Sequence, residues 1–171
     1  MPSLTLGKPE RPESEYEHRS AVRCIIIKDS EICIIYVKNG NYYKLPGGGI
    51  EAGDPDYFAA AQREALEETG CRVDVMPQLI AQTLEWRGKL KQESYAYKCS
   101  VVHDTGKVAL TEGESADGLA HQWCSVQEAL RKMNAIEPTS ELGKFIKKRD
   151  TFIVETFQGL QGVLSHSEIA L

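Results

Sequence analysis

A proline and three glycines, Pro46, Gly47, Gly48 and Gly49, stand directly ahead of the strongest helix signal in the chain. Pro lacks an amide donor and Gly is costly to order, so a regular strand stops there and a turn follows. Asp54 is the expected N-cap of the helix, Pro55 suits its first position, and Gly70 suits the residue just past its end. At about 100° per residue, Phe58, Ala61 and Ala65 fall on one side with Leu66 further round, while Glu64, Glu67 and Glu68 fall roughly opposite. Three carboxylates at such spacing repel each other unless a cation or a raised pKa relieves them. They are also the hard oxygen donors that Mg²⁺ or Mn²⁺ prefers. A solvated acidic face, with Arg63 pairing to Glu67 one turn on, accounts for the same spacing, and this segment alone does not separate the two readings.

The flanking chain frames this helix with strands. Residues 21–28 and 32–38 are β-branched runs broken at Asp29, Ser30 and Glu31, which predicts a hairpin. Asn39-Gly40 is a turn signal, and residues 42–45 read as a short strand. Beyond Gly70, residues 79–86 and 93–102 predict two strands around a tip at Arg87-Gly88-Lys89. Residues 111–118 read as an acidic loop and residues 121–125 as a last strand. Ser125 caps a short helix over residues 126–133, with Glu128 completing a capping box. A longer helix is expected from Pro138 to about Phe157. The Pro-, Glu- and Ser-rich residues 1–17 read as a mobile arm, 18–158 as one domain and 159–171 as a tail. Strands, helix, strands, helices in that order predict an α+β fold.

Composition narrows the function. With 171 residues, 42% hydrophobic and 26% charged, the chain has the make-up of a globular domain. A formal net charge of −5 argues against a protein built to grip a nucleic-acid backbone, but a divalent ion would reverse the field locally for a small anionic substrate. The five cysteines are widely spaced with no C-x-x-C pair, as expected of reduced, buried thiols. No stretch suits a signal peptide or a membrane span, so a cytoplasmic location is expected.

Residues 47–71, GGGIEAGDPDYFAAAQREALEETGC, resemble the Nudix box of Gly, five residues, Glu, seven residues, and Arg-Glu-apolar-x-Glu-Glu-x-Gly-apolar. Arg63 through Cys71 match the second half throughout, and Leu45-Pro46-Gly47-Gly48 is the usual lead-in. The first half departs: Asp54 stands where the pattern has Glu, and eight residues rather than seven precede Arg63. The looser resemblance runs from Val22 to near Ala129, including Trp123 in the last strand.

This resemblance implies a Nudix α/β/α sandwich with a mixed central β-sheet and a pyrophosphohydrolase that uses water to cut a diphosphate linkage in a nucleotide-type substrate. It implies Glu64, Glu67 and Glu68 as metal ligands, the Gly48 carbonyl as a further one, and Mg²⁺ (Mn²⁺ as a substitute) as cofactor. Arg63 is expected to hold the glutamates in place, and Glu51 to anchor the loop. Tyr43, Lys44, Gly47 and Gly48 are the expected substrate contacts. Glu114 is the expected general base, with Glu112 and Glu85 as alternatives. A nucleoside triphosphate or another nucleoside diphosphate derivative is the expected small-molecule partner, and the resemblance allows a homodimer. A non-nucleotide diphosphate substrate and a non-catalytic ligand-binding module are the alternatives. The basic run 144–149 reads as a solvated helix face.

Overall fold

The computed structural model describes residues 1–168. In chain order the elements are β1 (Ser3–Leu6), β2 (Glu17–Lys28), β3 (Glu31–Val37), β4 (Tyr42–Lys44), α1 (Tyr57–Thr69), β5 (Cys71–Arg87), β6 (Leu90–Asp104), α2 (Glu112–Asp117), β7 (Leu119–Cys124), α3 (Val126–Ala135) and α4 (Glu141–Glu168). The sheet runs β1-β5-β6-β2-β3-β4, and β7 pairs with β3. It is mixed: β2 is parallel to β6 and β1 to β5, while β5–β6, β2–β3, β3–β4 and β3–β7 are antiparallel.

Side chains alternate across this sheet and build a core on each face. Val22, Cys24 and Ile26 of β2 and Cys33 of β3 meet Ala60, Ala61 and Ala65 of α1. Ile25, Ile32 and Ile34 point the other way, to Ala129 and Met133 of α3 and Ile153, Val154 and Phe157 of α4. One helix on one face and two on the other make the expected α/β/α sandwich. All five cysteines are buried and free, as expected.

The predicted hairpin turns at Asp29 and Ser30, both at positive φ (49° and 68°), the backbone of a two-residue hairpin loop. Gly88, at φ 55°, tips the β5–β6 hairpin where Arg87-Gly88-Lys89 was expected. These two strands are longer than their hydrophobic runs. Pairing breaks between Val75 and Leu79, around Pro77, which has no amide to donate, and the irregularity hid the first part of β5.

Four further expectations are corrected. Ser3–Leu6, inside the expected mobile arm, is a strand paired to Gln82–Glu85, and Lys91 ties Glu13 down by an ion pair. Four residues are too few for composition to reveal. The acidic stretch after Thr111 is a helical turn, α2, closed by a capping box between Thr111 and Glu114. At α3, Ser125 does accept the Glu128 amide, but the Glu128 carboxylate turns to Arg131 and leaves the box half made. α4 continues past Phe157 to Glu168, so most of the expected tail is helix; residues 169–171 lie outside the described residues. Among the described residues no helix is long and apolar enough to cross a membrane.

Candidate active site

The glycine run lies against β2 as if it were another strand. Cys24 N–H donates to the Pro46 carbonyl at 2.8 Å, Val22 N–H to Gly48 at 2.9 Å, and Ile50 N–H to Ser20 at 2.9 Å. Gly47 sits at φ 142°, and a side chain there would strike the Val22 carbonyl. A side chain at Gly48 would strike the Glu64 carboxylate. Gly47 is therefore required by its backbone conformation and its close approach to the strand, while a side chain at Gly48 would push the Glu64 carboxylate out of place.

α1 then starts two residues later than expected. Asp56, not Asp54, is the N-cap and accepts the Ala59 amide at 2.8 Å, whereas Gly70 closes the helix in the left-handed conformation (φ 74°) as predicted. With the cap at Asp56, the Asp54 carboxylate is left to pair with Arg63. Arg63 donates from Nε to Asp54 Oδ1 at 3.0 Å and from Nη2 to Oδ2 at 2.8 Å, a fork-to-fork pair. Asp54 also accepts the Glu51 amide at 2.9 Å. Both interactions hold its carboxyl below the usual range, the Arg63 bond first.

Arg63 is the hub of the site. Beyond Asp54 it reaches Glu64 at 3.0 Å, Glu67 at 3.2 Å, Glu51 at 3.6 Å and the Gly49 carbonyl at 3.0 Å. It holds box glutamates and loop together, which a simple surface pair with Glu67 would not do. Glu68 is held separately: its oxygens accept from Lys44 at 2.6 Å and from the Gly47 amide at 2.9 Å. Glu64 and Glu68 are buried and Glu67 is half-buried. Burial and the neighbouring Glu68 charge push the Glu64 carboxyl up to about 6. Phe58, expected on the apolar face, is 37% exposed with its ring edge-on to Tyr97, and Ala60, Ala61 and Ala65 carry the packing on the sheet.

These groups form one wall of a cavity of about 490 Å³. Lys44, Gly47, Gly48 and Glu114 line it, as expected of site residues; Tyr43 does not. Side chains alternate along β4, so Tyr42 faces the cavity while Tyr43 packs on Tyr36 and the α3–α4 core. The Glu114 carboxylate uses Oε2 to accept the Thr111 amide at 2.8 Å in the capping box. Glu112 is exposed on the first turn of α2. Glu85 is wholly buried and bonded to Gln92 and Arg149, which removes it as a base.

A divalent cation suits this donor set, though not as a closed three-carboxylate cage. Among the described residues no three acidic, His or Cys side chains stand close enough to grip one ion. The Gly48 carbonyl accepts the Val22 amide and keeps one lone pair. Buried hard oxygens short of charge compensation, supplemented by backbone carbonyl and water, are what Mg²⁺ accepts, since it retains several waters.

The wall opposite the glutamates is basic and was not foreseen from the sequence. Arg19 and Arg23 of β2, Arg87 at the end of β5 and Arg149 of α4 line it, with Gln92. Arg149 comes from the run expected to be a solvated face, yet it is buried, 2.6 Å from Asp150 and 3.1 Å from Glu85. The available sequence signal was Arg23 itself, a charge interrupting the apolar run from Val22 to Ile27.

The NUDIX domain model matches residues 17–142. Among solved structures the chain is similar to the E. coli ORF135 protein, with 21% identity, a TM-score of 0.61, and 90% of this chain and 97% of that chain covered. It is also similar to a NUDIX hydrolase from Nitrosomonas europaea, at 18% identity and a TM-score of 0.61, covering 84% and 90% of the two chains. A UDP-X diphosphatase matches at 18% identity and a TM-score of 0.57, covering 84% of this chain and 64% of that one. None of the curated proteins matches.

Proposed function

Since this chain belongs to the Nudix family of pyrophosphohydrolases, we propose that it hydrolyses a diphosphate linkage in a nucleotide-type substrate at the cavity beside α1, with Mg²⁺ as the cation. The observation that carries this reading is the buried pair Glu64 and Glu68 beside half-buried Glu67, locked to the glycine loop through Arg63 and the Gly47 amide on the wall of a 490 Å³ cavity. Mg²⁺, when bound, supplies neutralisation of phosphate charge and Lewis acidity toward a phosphoryl oxygen.

Glu64, Glu67 and Glu68 would hold the ion together with water and the free lone pair of the Gly48 carbonyl, the carboxylates drawing closer to one another than they stand without it. Arg63 keeps Glu64 and Glu67 oriented and ties them to Asp54, so the additional loop residue leaves the second half of the box intact. Glu114 accepts the proton of the attacking water at Oε1, the oxygen its capping box leaves unengaged. Val37, Tyr42, Leu119, Leu142 and Ile146 form the apolar part of the lining and receive the organic part of the substrate. A nucleoside triphosphate or nucleoside diphosphate derivative satisfies both halves of this cavity. An isoprenyl diphosphate would fill the apolar part and the glutamate pole but bring no anion to Arg23.

The test is release of phosphate and nucleotide from nucleoside triphosphates, dinucleoside polyphosphates, nucleotide sugars and isoprenyl diphosphates, with Mg²⁺ or EDTA, beside Glu67→Gln. Turnover that needs Mg²⁺ and falls by about a hundredfold or more in the variant is expected. Turnover equal in EDTA, or equal in the variant, would remove the metal assignment.

A further inference from the structure

The cavity has two electrical poles, and box chemistry uses only one. On β2, Val22, Cys24 and Ile26 face α1, so Arg23 stands on the opposite face of the sheet, with the glycine loop crossing beside it. Arg23 is 5% exposed, yet among the described residues it has no ion-pair partner and no side-chain hydrogen bond. Its Nε is buried without a partner. A buried guanidinium so placed is expensive unless something else comes to it. Burial, then repulsion from Arg149, pushes its pKa down to about 10.

The neighbouring charges do not satisfy it. The carboxylates of this wall, Glu85 and Asp150, are engaged elsewhere: Glu85 by Arg149 and Gln92, and Asp150 by Arg149 and the Leu45 amide at 2.8 Å. Arg19 donates to Gln92 at 3.3 Å and has no carboxylate. Arg87 lies 3.4 Å from Glu85, with its Nε making no hydrogen bond. Two carboxylates thus face four arginines on this wall, an excess of positive charge enclosed with the box glutamates in one cavity.

We propose that Arg23, with Arg19 and Arg87 at its rim, binds a second anionic group of the substrate, a phosphate or carboxylate remote from the diphosphate that is cut. The proposal rests on the hydrolase reading for what happens at α1, but the subsite itself needs no metal. The substrates preferred are those with an additional charge on the part that leaves the scissile linkage, rather than those ending in a neutral sugar.

The first experiment is calorimetric titration of the full chain with inorganic pyrophosphate in EDTA, where uncompensated glutamates repel an anion and only the basic pole attracts it. The unaltered protein is expected to bind one pyrophosphate, Arg23→Met to weaken it about tenfold or more, and Arg19→Met to weaken it less. No binding by the unaltered protein, or equal binding by Arg23→Met, overturns the subsite. If Arg23→Met does not fold, the unaltered protein and Arg19→Met decide the question in the same titration, and equal binding by these two overturns it.

The second measurement uses Mg²⁺ and whichever compound is turned over. 2′-Phospho-ADP-ribose is expected to compete about tenfold more strongly than ADP-ribose, and the difference to vanish in Arg23→Met. Equal competition by the two in the unaltered protein shows that Arg23 serves the scissile diphosphate itself and overturns the second-group assignment. A chain that binds pyrophosphate in EDTA but cuts nothing in Mg²⁺ would fail the hydrolase reading while retaining the subsite.

Discussion

Arg63 and Asp54 fasten the loop that enters α1 to the helix itself. Their two parallel bonds, at 3.0 and 2.8 Å, join the end of the loop to the middle of α1. The Asp54 side chain is 7% exposed and that of Arg63 21%, so the pair is only partly screened. Asp54→Asn is expected to destabilise the fold by about 1–2 kcal/mol in urea unfolding at pH 7. Because the folded Asp54 pKa is depressed, its stabilisation is complete above the unfolded carboxyl pKa of about 4 and disappears as pH falls through the lower folded value. The difference between Asp54→Asn and the unaltered protein should therefore shrink below about pH 4; a difference constant down to pH 2 would refute this assignment. Glu114→Gln keeps a side chain able to complete the capping box but removes the base, so kcat should fall about a hundredfold with little change in melting. Unchanged turnover would place the base elsewhere, and Glu67, the most exposed of the three box glutamates, would be next.

At the scale of elements, α1 is positioned by its two ends and by the strand that the glycine loop imitates. Its alanine face is thin, so the helix lies close to β2 and β3, and this closeness brings Glu64 over Gly48. The cap matters because the entry loop carries a residue more than the family pattern. Asp56→Ala should cost about 1 kcal/mol in thermal or urea unfolding, while Asp54→Ala should fail to reproduce a cap effect by hydrogen exchange at the Ala59 amide. Protection of that amide lost only in Asp54→Ala would reverse the assignment of the cap. Boundaries of this kind were hard to read because Asp54, Pro55 and Asp56 all carry N-terminal helix signals. Only the backbone path, set by the Arg63 contact, decides among them.

For the molecule as a whole, the cluster around Arg149 links parts distant in the chain: α4 through Arg149 and Asp150, β5 through Glu85, β6 through Gln92, and the entry to the glycine loop through the Leu45 amide. Arg149→Met would leave Asp150 buried without a cation and Glu85 with Arg87 alone, and should destabilise the protein by about 3–5 kcal/mol. Changing Arg149, Asp150 and Glu85 together to apolar residues of similar size should recover much of that loss. A single variant as stable as the unaltered chain in urea would show that the cluster opens to water. The same cluster makes one wall of the cavity, so its disruption should impair substrate binding before the glutamates at α1 are disturbed.

What the sequence determined by itself was local and periodic. The spacing of Glu64, Glu67 and Glu68 with Arg63, the glycine run before them and Gly70 after them defined the helix and put its carboxylates on one side, because helical periodicity and the closing glycine act within a few residues. The hairpins at Asp29-Ser30 and Gly88 were legible for the same reason, and the strand–helix order was enough for an α+β fold, with the sandwich following from the resemblance. Tertiary structure decided what depends on partners far along the chain. β1 is a strand only because β5 offers it an edge, and Tyr42 rather than Tyr43 faces the cavity because the register of β4 on β3 sets the side. Arg23 and Arg149, 126 positions apart in the numbering, face one another only after α4 folds across the sheet. Periodicity reports which face a residue occupies; which charges meet there is settled by packing, where desolvation makes each unmatched one count.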